Sequence, residues 1–208
     1  MSLLTNWGYT LSDITTLDSL LSVADFNART GNKYISDTRI LTALASASQV
    51  LRDYAGWHLY PSTACEFETT FYDCRVITKF SDVLIQLPAR FVAAVSKLEI
   101  GGVEIENYVL DHNGILRAYG VNVAGLKPYS KIKVKYTAGI PDTLANALKD
   151  IVANRTVKEL VTSNGVQSET AGGVSITYSA SWMADASGPA LSSPEEAAMS
   201  PYKLRGVF

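Results

Sequence analysis

The 208-residue sequence predicts an α+β fold: a small helical bundle with an inserted antiparallel β block and an extended C-terminal arm ending in a short helix. Three observations carry that expectation. Apolar residues recur at helical spacing at Ile40, Leu44, Ala47, Leu51 and Tyr54, and again at Leu144, Leu148, Ile151 and Val152. Between these stripes the period becomes that of strands, most strictly in Ile132-Lys133-Val134-Lys135-Tyr136. After the second stripe, only Glu169 and Asp185 carry charge from Gly165 to Ser193. The implied organisation is residues 1–60 as the N-terminal helical part of the bundle, 61–137 as the inserted β-sheet block, 138–164 as the C-terminal bundle helix and 165–208 as a docking arm.

Leu17, Leu20, Leu21 and Phe26 read as a short helical lead-in that Gly31-Asn32 breaks. Ser36 or Asp37 can cap the next helix, and Gly56 stands where a left-handed C-terminal residue is wanted. Thr42, Ser46, Gln49 and Asp53 form its solvent side, and its many Ala and Ser residues allow a neighbouring helix to approach closely. Phe67–Phe71, Val83–Leu87, Val92–Ile100, Val103–Ile105 and Tyr108–Leu110 read as short strands, with hairpin signals at Gly101-Gly102 and Asn113-Gly114. In the alternating run, Ile132, Val134 and Tyr136 are expected inward and Lys131, Lys133 and Lys135 in water. After Pro141, Asp142 or Thr143 starts the second long helix. Its apolar stripe widens through Val157, Leu160 and Val161, and Asn164-Gly165 closes it. Ser193-Pro194-Glu195-Glu196 reads as a capping box opening a brief helix that Pro201 stops or kinks.

The arm is the most unusual part. Ordering each residue costs about 1–2 kcal/mol of chain entropy. Val174, Ile176, Tyr178, Trp182 and Met183 return only about 1.5–3 kcal/mol each on burial. The segment is also too apolar for a solvating tail. It is therefore expected to order against something else, by strand addition through Val174-Ser175-Ile176-Thr177-Tyr178 among other contacts.

Composition limits the chemistry. Net charge is −2, so no basic excess argues for tight nucleic-acid binding. No apolar run reaches the length of a bilayer span, and MSLLTNWGYTL lacks the pattern of a signal peptide, so a cytoplasmic origin and no membrane partner are expected. Cys65 and Cys74 are expected as unpaired thiols. His58 and His112 do not complete a zinc site with them, and no cofactor or metal is expected. Phosphate-loop, dinucleotide, nucleophile-elbow and zincin motifs are missing. A nucleophile set of Cys65 or Cys74 with His112 and Asp111 competes with the plainer reading of Asp111–Gly114 as a polar hairpin tip.

Several segments, in order, carry a resemblance. They are Gly8-Tyr9-Thr10-Leu11; Phe26–Tyr34; Asp37-Thr38-Arg39-Ile40; Ala55–Pro61; Ile85-Gln86-Leu87-Pro88; Ile100-Gly101-Gly102; Val134–Gly139; and Ser200–Arg205. Together they resemble the head–tail connector (adaptor) proteins of long-tailed bacteriophages. The long β block departs from the nearly all-helical members of that family. The resemblance implies a non-enzymatic virion protein of the neck, made in the host cytoplasm. It implies a homo-oligomeric ring of twelve copies beneath the portal protein, extending the DNA channel and offering a platform to a stopper or tail-completion protein. Double-stranded DNA would pass through without specific binding, past an acidic or mixed lumen for which Asp25, Asp37, Asp53 and Glu68 are the loosest candidates. The portal or a neighbouring subunit would meet Val174, Ile176, Tyr178, Trp182, Tyr202, Leu204, Arg205 and Phe208. The alternative within the same particle is a stopper or tail terminator.

Overall fold

The computed structural model describes residues 2–12, 14–34, 37–79, 81–111, 113–127, 129–162, 168–171, 174–177 and 191–204, with the backbone path alone at 162, 168–171 and 174–177. The fold is α+β, and the chain divides into two compact units. One takes residues up to Leu17, Gly56–Pro141 and the end from Tyr202. The other takes Asp18–Ala55 and Asp142–Pro201.

The first unit holds two antiparallel sheets. Strands β1 (Ser2–Leu4), β2 (Thr10–Ser12), β3 (Thr63–Thr70), β6 (Val92–Ile100), β7 (Val103–Glu104) and β10 (Lys131–Ala138) form a sheet in the order β1-β2-β3-β10-β6-β7. Strands β4 (Val76–Lys79), β5 (Asp82–Gln86), β8 (Tyr108–Leu110) and β9 (Ile115–Ala118) form the second, in the order β4-β5-β9-β8. The alternation in β10 does what its period requires. Ile132, Val134 and Tyr136 are buried, and so are Cys65 and Phe67, which face Tyr136 and Val134 across the β3–β10 register. Lys131 and Lys135 stay exposed.

The opening of the chain corrects the expectation of a helical lead-in. Residues 2–12 form a hairpin, closed by the Thr5 amide and hydroxyl donating to the Tyr9 carbonyl at 2.9 and 2.7 Å. Tyr9 and Leu11 are both buried, and β2 pairs through Thr10 and Leu11 with β3. A two-residue period this short is invisible beside the leucines that follow it, and pairing with β3 decides the outcome. Leu20, Leu21 and Phe26 are buried as expected, but only Val23–Arg29 is helical (α1), capped by Ser22 Oγ accepting from the Asp25 amide at 3.0 Å.

The second unit holds α1, α2 (Ile40–Ala55), α3 (Ala145–Thr162), α4 (Ser193–Met199) and a two-stranded ribbon, β11 (Ser168–Ala171) with β12 (Val174–Thr177). In α2 the buried face is Ile40, Ala43, Leu44, Ala47, Ser48, Leu51, Arg52 and Ala55. Its small residues let α3 pack closely, with Ala145, Leu148, Val152, Thr156 and Leu160 buried in turn. Gly56, with φ +77°, ends α2 as expected. Leu144 is the exception: it precedes α3, is 49% exposed, and leaves Ala145 to begin the apolar face.

Candidate interaction surface

The terminal segment is seated on its own chain at 191–204, which corrects the expectation that the whole arm lacks intramolecular burial. In the second unit, α4 is capped by Ser192, one residue before the expected cap, because Glu195 reaches back to that residue. Glu195 Oε2 accepts from the Ser192 amide and hydroxyl at 2.9 Å each and from Arg155 Nη1 of α3 at 2.8 Å. Burial alone raises the Glu195 carboxyl. The Ser192 donors and the Arg155 and Lys158 charges outweigh it and hold the carboxyl below its ordinary value. Leu191 and Met199 are buried.

Within the first unit, residues 202–204 lie against Trp57 and Phe91. Trp57 Nε1 donates to the Tyr202 carbonyl at 2.8 Å, and Arg90 Nη1 donates to the Lys203 carbonyl at 3.2 Å. The Tyr202 ring lies 6.0 Å from Phe91, which stacks on Trp57 at 6.2 Å. A Cβ on Gly56 would stand 3.7 Å from Leu204 Cβ. Tyr202 and Leu204, expected at an intermolecular interface, are thus half-buried within their own unit. Sequence reasoning missed Arg90 and Phe91 as the receiving groups. They lie more than 100 positions from the segment they hold, and no local pattern connects the two.

Val174 and Ile176 fall in β12, so the expected strand character is present. The register pairs Ser168 with Thr177, Glu169 with Ile176, Thr170 with Ser175 and Ala171 with Val174. Among the described residues no further strand pairs with either edge of this ribbon. Tyr178, Trp182, Arg205 and Phe208 lie outside the described residues.

The solvent face of β3, β10 and β6 is a lattice of opposite charges. Lys131 and Lys133 reach Glu68 at 2.5 and 3.2 Å, Lys135 reaches Glu66 at 3.8 Å, and Lys97 reaches Glu99 at 2.6 Å. These contacts leave a mixed face, not a basic one. Of the loose acidic candidates, Glu68 is held by these lysines, Asp37 by Arg39 and Asp53 by the Gln49 amide, while Asp25 lies exposed in the first turn of α1. Hydrogen bonds from the Arg39 side chain and amide draw the Asp37 carboxyl down to about 2.

Burial pushes the Cys65 thiol up to about 12, so it stays protonated and unreactive at neutral pH. Cys74 is exposed, and His112 lies outside the described residues. His58 is fully buried between Tyr9 and Ala138. Among the described residues no group of three or more His, Cys, Asp or Glu side chains is placed to hold a metal, and no helix is long and apolar enough to cross a membrane.

No protein-family model matches the sequence, and no curated protein matches it. The fold has solved counterparts. A chain from the neck of a native gene transfer agent (GTA) particle, computed with C12 symmetry, superposes with a TM-score of 0.52 at 16% identity, covering 95% of this chain and 97% of that one. A chain from the neck of an empty GTA particle, computed with C6 symmetry, gives 0.48 at 17% identity over the same shares. The α+β architecture described above is therefore one that a phage-like particle neck also contains, along nearly the full length of both chains.

Proposed function

We propose that this chain is a structural neck protein of a phage-like particle, a head–tail connector that assembles as a ring of twelve copies beneath the portal. It extends the DNA channel and presents a platform for a stopper or tail-completion protein. The observation that carries this reading is the fold shared with the C12-symmetric GTA neck over almost all of both chains. Three features agree with it. The sheet face is charge-paired, which neither attracts nor repels duplex DNA strongly. The one buried thiol is unreactive. A strand ribbon that pairs with no further strand among the described residues offers its edges for assembly. Val174 and Ile176, which fall in that ribbon, are its proposed contact residues. Tyr178, Trp182, Arg205 and Phe208 join them on the sequence argument.

The test is assembly mass and order. Purified protein, alone and mixed with portal, is examined by native mass spectrometry and electron microscopy. A closed twelve-membered ring seated on the portal is expected. Monomer under every condition, with no portal binding, overturns the reading. Binding only to a ring already on the capsid reassigns the chain as a stopper or tail terminator.

A further inference from the structure

The ribbon of β11 and β12 is physically incomplete. A two-stranded hairpin is at best marginally stable in water and needs a third strand or a packing partner. Among the described residues, β11 and β12 pair only with each other, so the ribbon has two open edges, and those edges are different strands. Its faces differ as well. The register places Ser168, Thr170, Ser175 and Thr177 on one face, all bearing hydroxyls and none charged. Glu169, Ala171, Val174 and Ile176 share the other.

We propose that the occupant of each open edge is the same hairpin of the adjacent copy, so that the hairpins of the ring close into one continuous β-barrel around the DNA passage. This rests on the ring reading. Under rotational symmetry every hairpin points the same way, so β12 of one copy meets β11 of the next, antiparallel throughout. An edge that differs from its counterpart makes a heterologous contact, the kind that closes a ring, and closure removes every open edge. Twelve hairpins supply twenty-four strands. At about 4.8 Å per strand they give a circumference of about 115 Å and a barrel about 37 Å across before strand tilt widens it. That admits a DNA duplex. The hydroxyl face lines the passage, where uncharged groups leave phosphates mobile. The face with Glu169, Ala171, Val174 and Ile176 is then the one away from the passage.

Two populations test this in a Cys74→Ser background. One carries Ser168→Cys or Thr170→Cys, and the other carries Ser175→Cys or Thr177→Cys. Each copy has one new thiol on the ribbon, so a disulfide between the populations joins two copies. Covalent dimers are expected in mixed rings and not in monomer. Amide exchange on the unaltered protein gives a second readout: protection at 168–177 rises on ring formation to the level of β10. Rings that form without cross-copy disulfides at any position pair and without that protection overturn the barrel and leave the ring reading standing. Failure to form rings at all overturns both. Rings of Ser175→Lys are expected to retain duplex DNA with a steep loss of affinity as salt rises, and rings of Glu169→Lys are not. The reverse result overturns the assignment of the hydroxyl face to the passage.

Discussion

Two buried tyrosines in the first unit look alike in the sequence and do opposite things. Tyr9 and Tyr136 are each 1% exposed. Tyr9 Oη lies 2.7 Å from His58 Nδ1 and accepts the His58 amide at 3.0 Å. His58 Nε2 faces the Ala138 carbonyl at 3.0 Å, an acceptor only, so Nε2 donates there and Nδ1 is left to the Tyr9 hydroxyl. Among the described residues the Tyr136 hydroxyl makes no hydrogen bond to nitrogen or oxygen, and it faces the weakly polar Cys65 thiol across the β3–β10 register. Replacing Tyr9 by Phe strands two buried groups on His58 and is expected to cost about 2–3 kcal/mol. Replacing Tyr136 by Phe removes a buried hydroxyl with no strong partner among the described residues and is expected to change stability by less than about 1 kcal/mol, in the stabilising direction. Urea unfolding of the two variants checks this, and equal losses would show that the hydroxyls are equivalent. Glu195 gives a pH-dependent counterpart. Its folded-state pKa lies below the ordinary value, so its stabilisation is complete above the unfolded pKa and is lost as pH falls through the folded one. Glu195→Gln is expected to cost about 2 kcal/mol at pH 7 from weakened charge-assisted bonds. The gap between variant and wild-type melting temperatures should then close as pH is lowered from about 5. A gap that stays constant to pH 3 would mean that the Arg155 contact is not what the carboxylate supplies. The capping role of this residue type was legible from its spacing to Ser. Its bond to Arg155, forty positions away, was not.

At the scale of elements, the sequence spoke clearly wherever one face of a long element meets the core. The β10 alternation, the α2 stripe from Ile40 to Leu51 and the end of α2 at Gly56 appear where the pattern puts them, because burial repeats over enough residues to outweigh local preference, while Tyr54 at the end of the stripe is only half-buried. It spoke poorly where an element is short and pairing decides, as in the β1–β2 hairpin. The split of the β block into two sheets was likewise hidden, since alternation says which residues face inward and not which strand lies beside which. Connections between elements carry their own constraint. Gly139, just after β10, has φ +151°, and a Cβ there would stand 2.3 Å from Ser62 Cα and 2.7 Å from the Pro61 carbonyl oxygen. Backbone cannot give way as a flexible side chain does, so Gly139→Ala is expected to destabilise by more than about 2 kcal/mol. Gly102, with φ +84° and nothing within 4 Å of an added Cβ, isolates the conformational part. Gly102→Ala is expected to cost about 1 kcal/mol. Comparable losses in thermal unfolding would contradict the close approach at Ser62.

At the scale of the whole molecule, residues 191–204 are built into the fold and β11–β12 carry the proposed assembly contact, and deletions separate the two. Removing residues 202–208 uncovers Trp57, which is fully buried, and leaves its indole N–H without the Tyr202 carbonyl. Loss of that bond and of the apolar cover over Trp57 and Phe91 is expected to cost about 2–4 kcal/mol. A single mobile arm predicts the opposite, that the fold would not notice the loss. Replacing residues 168–177 by a flexible linker of equal length removes a ribbon that pairs with no other strand among the described residues. That change is expected to leave the melting temperature within about 1 °C, since substitutions away from packed or paired groups stay within about 0.5 kcal/mol. Ring formation should nevertheless be abolished. The two measurements, melting temperature and ring mass, should therefore move independently, one with each deletion. If the linker variant melts early, the ribbon is part of the folded core and its edges are not free for another copy. If the truncated variant keeps its melting temperature, the Trp57 seat contributes nothing to the monomer, and the terminal segment is available to a partner after all.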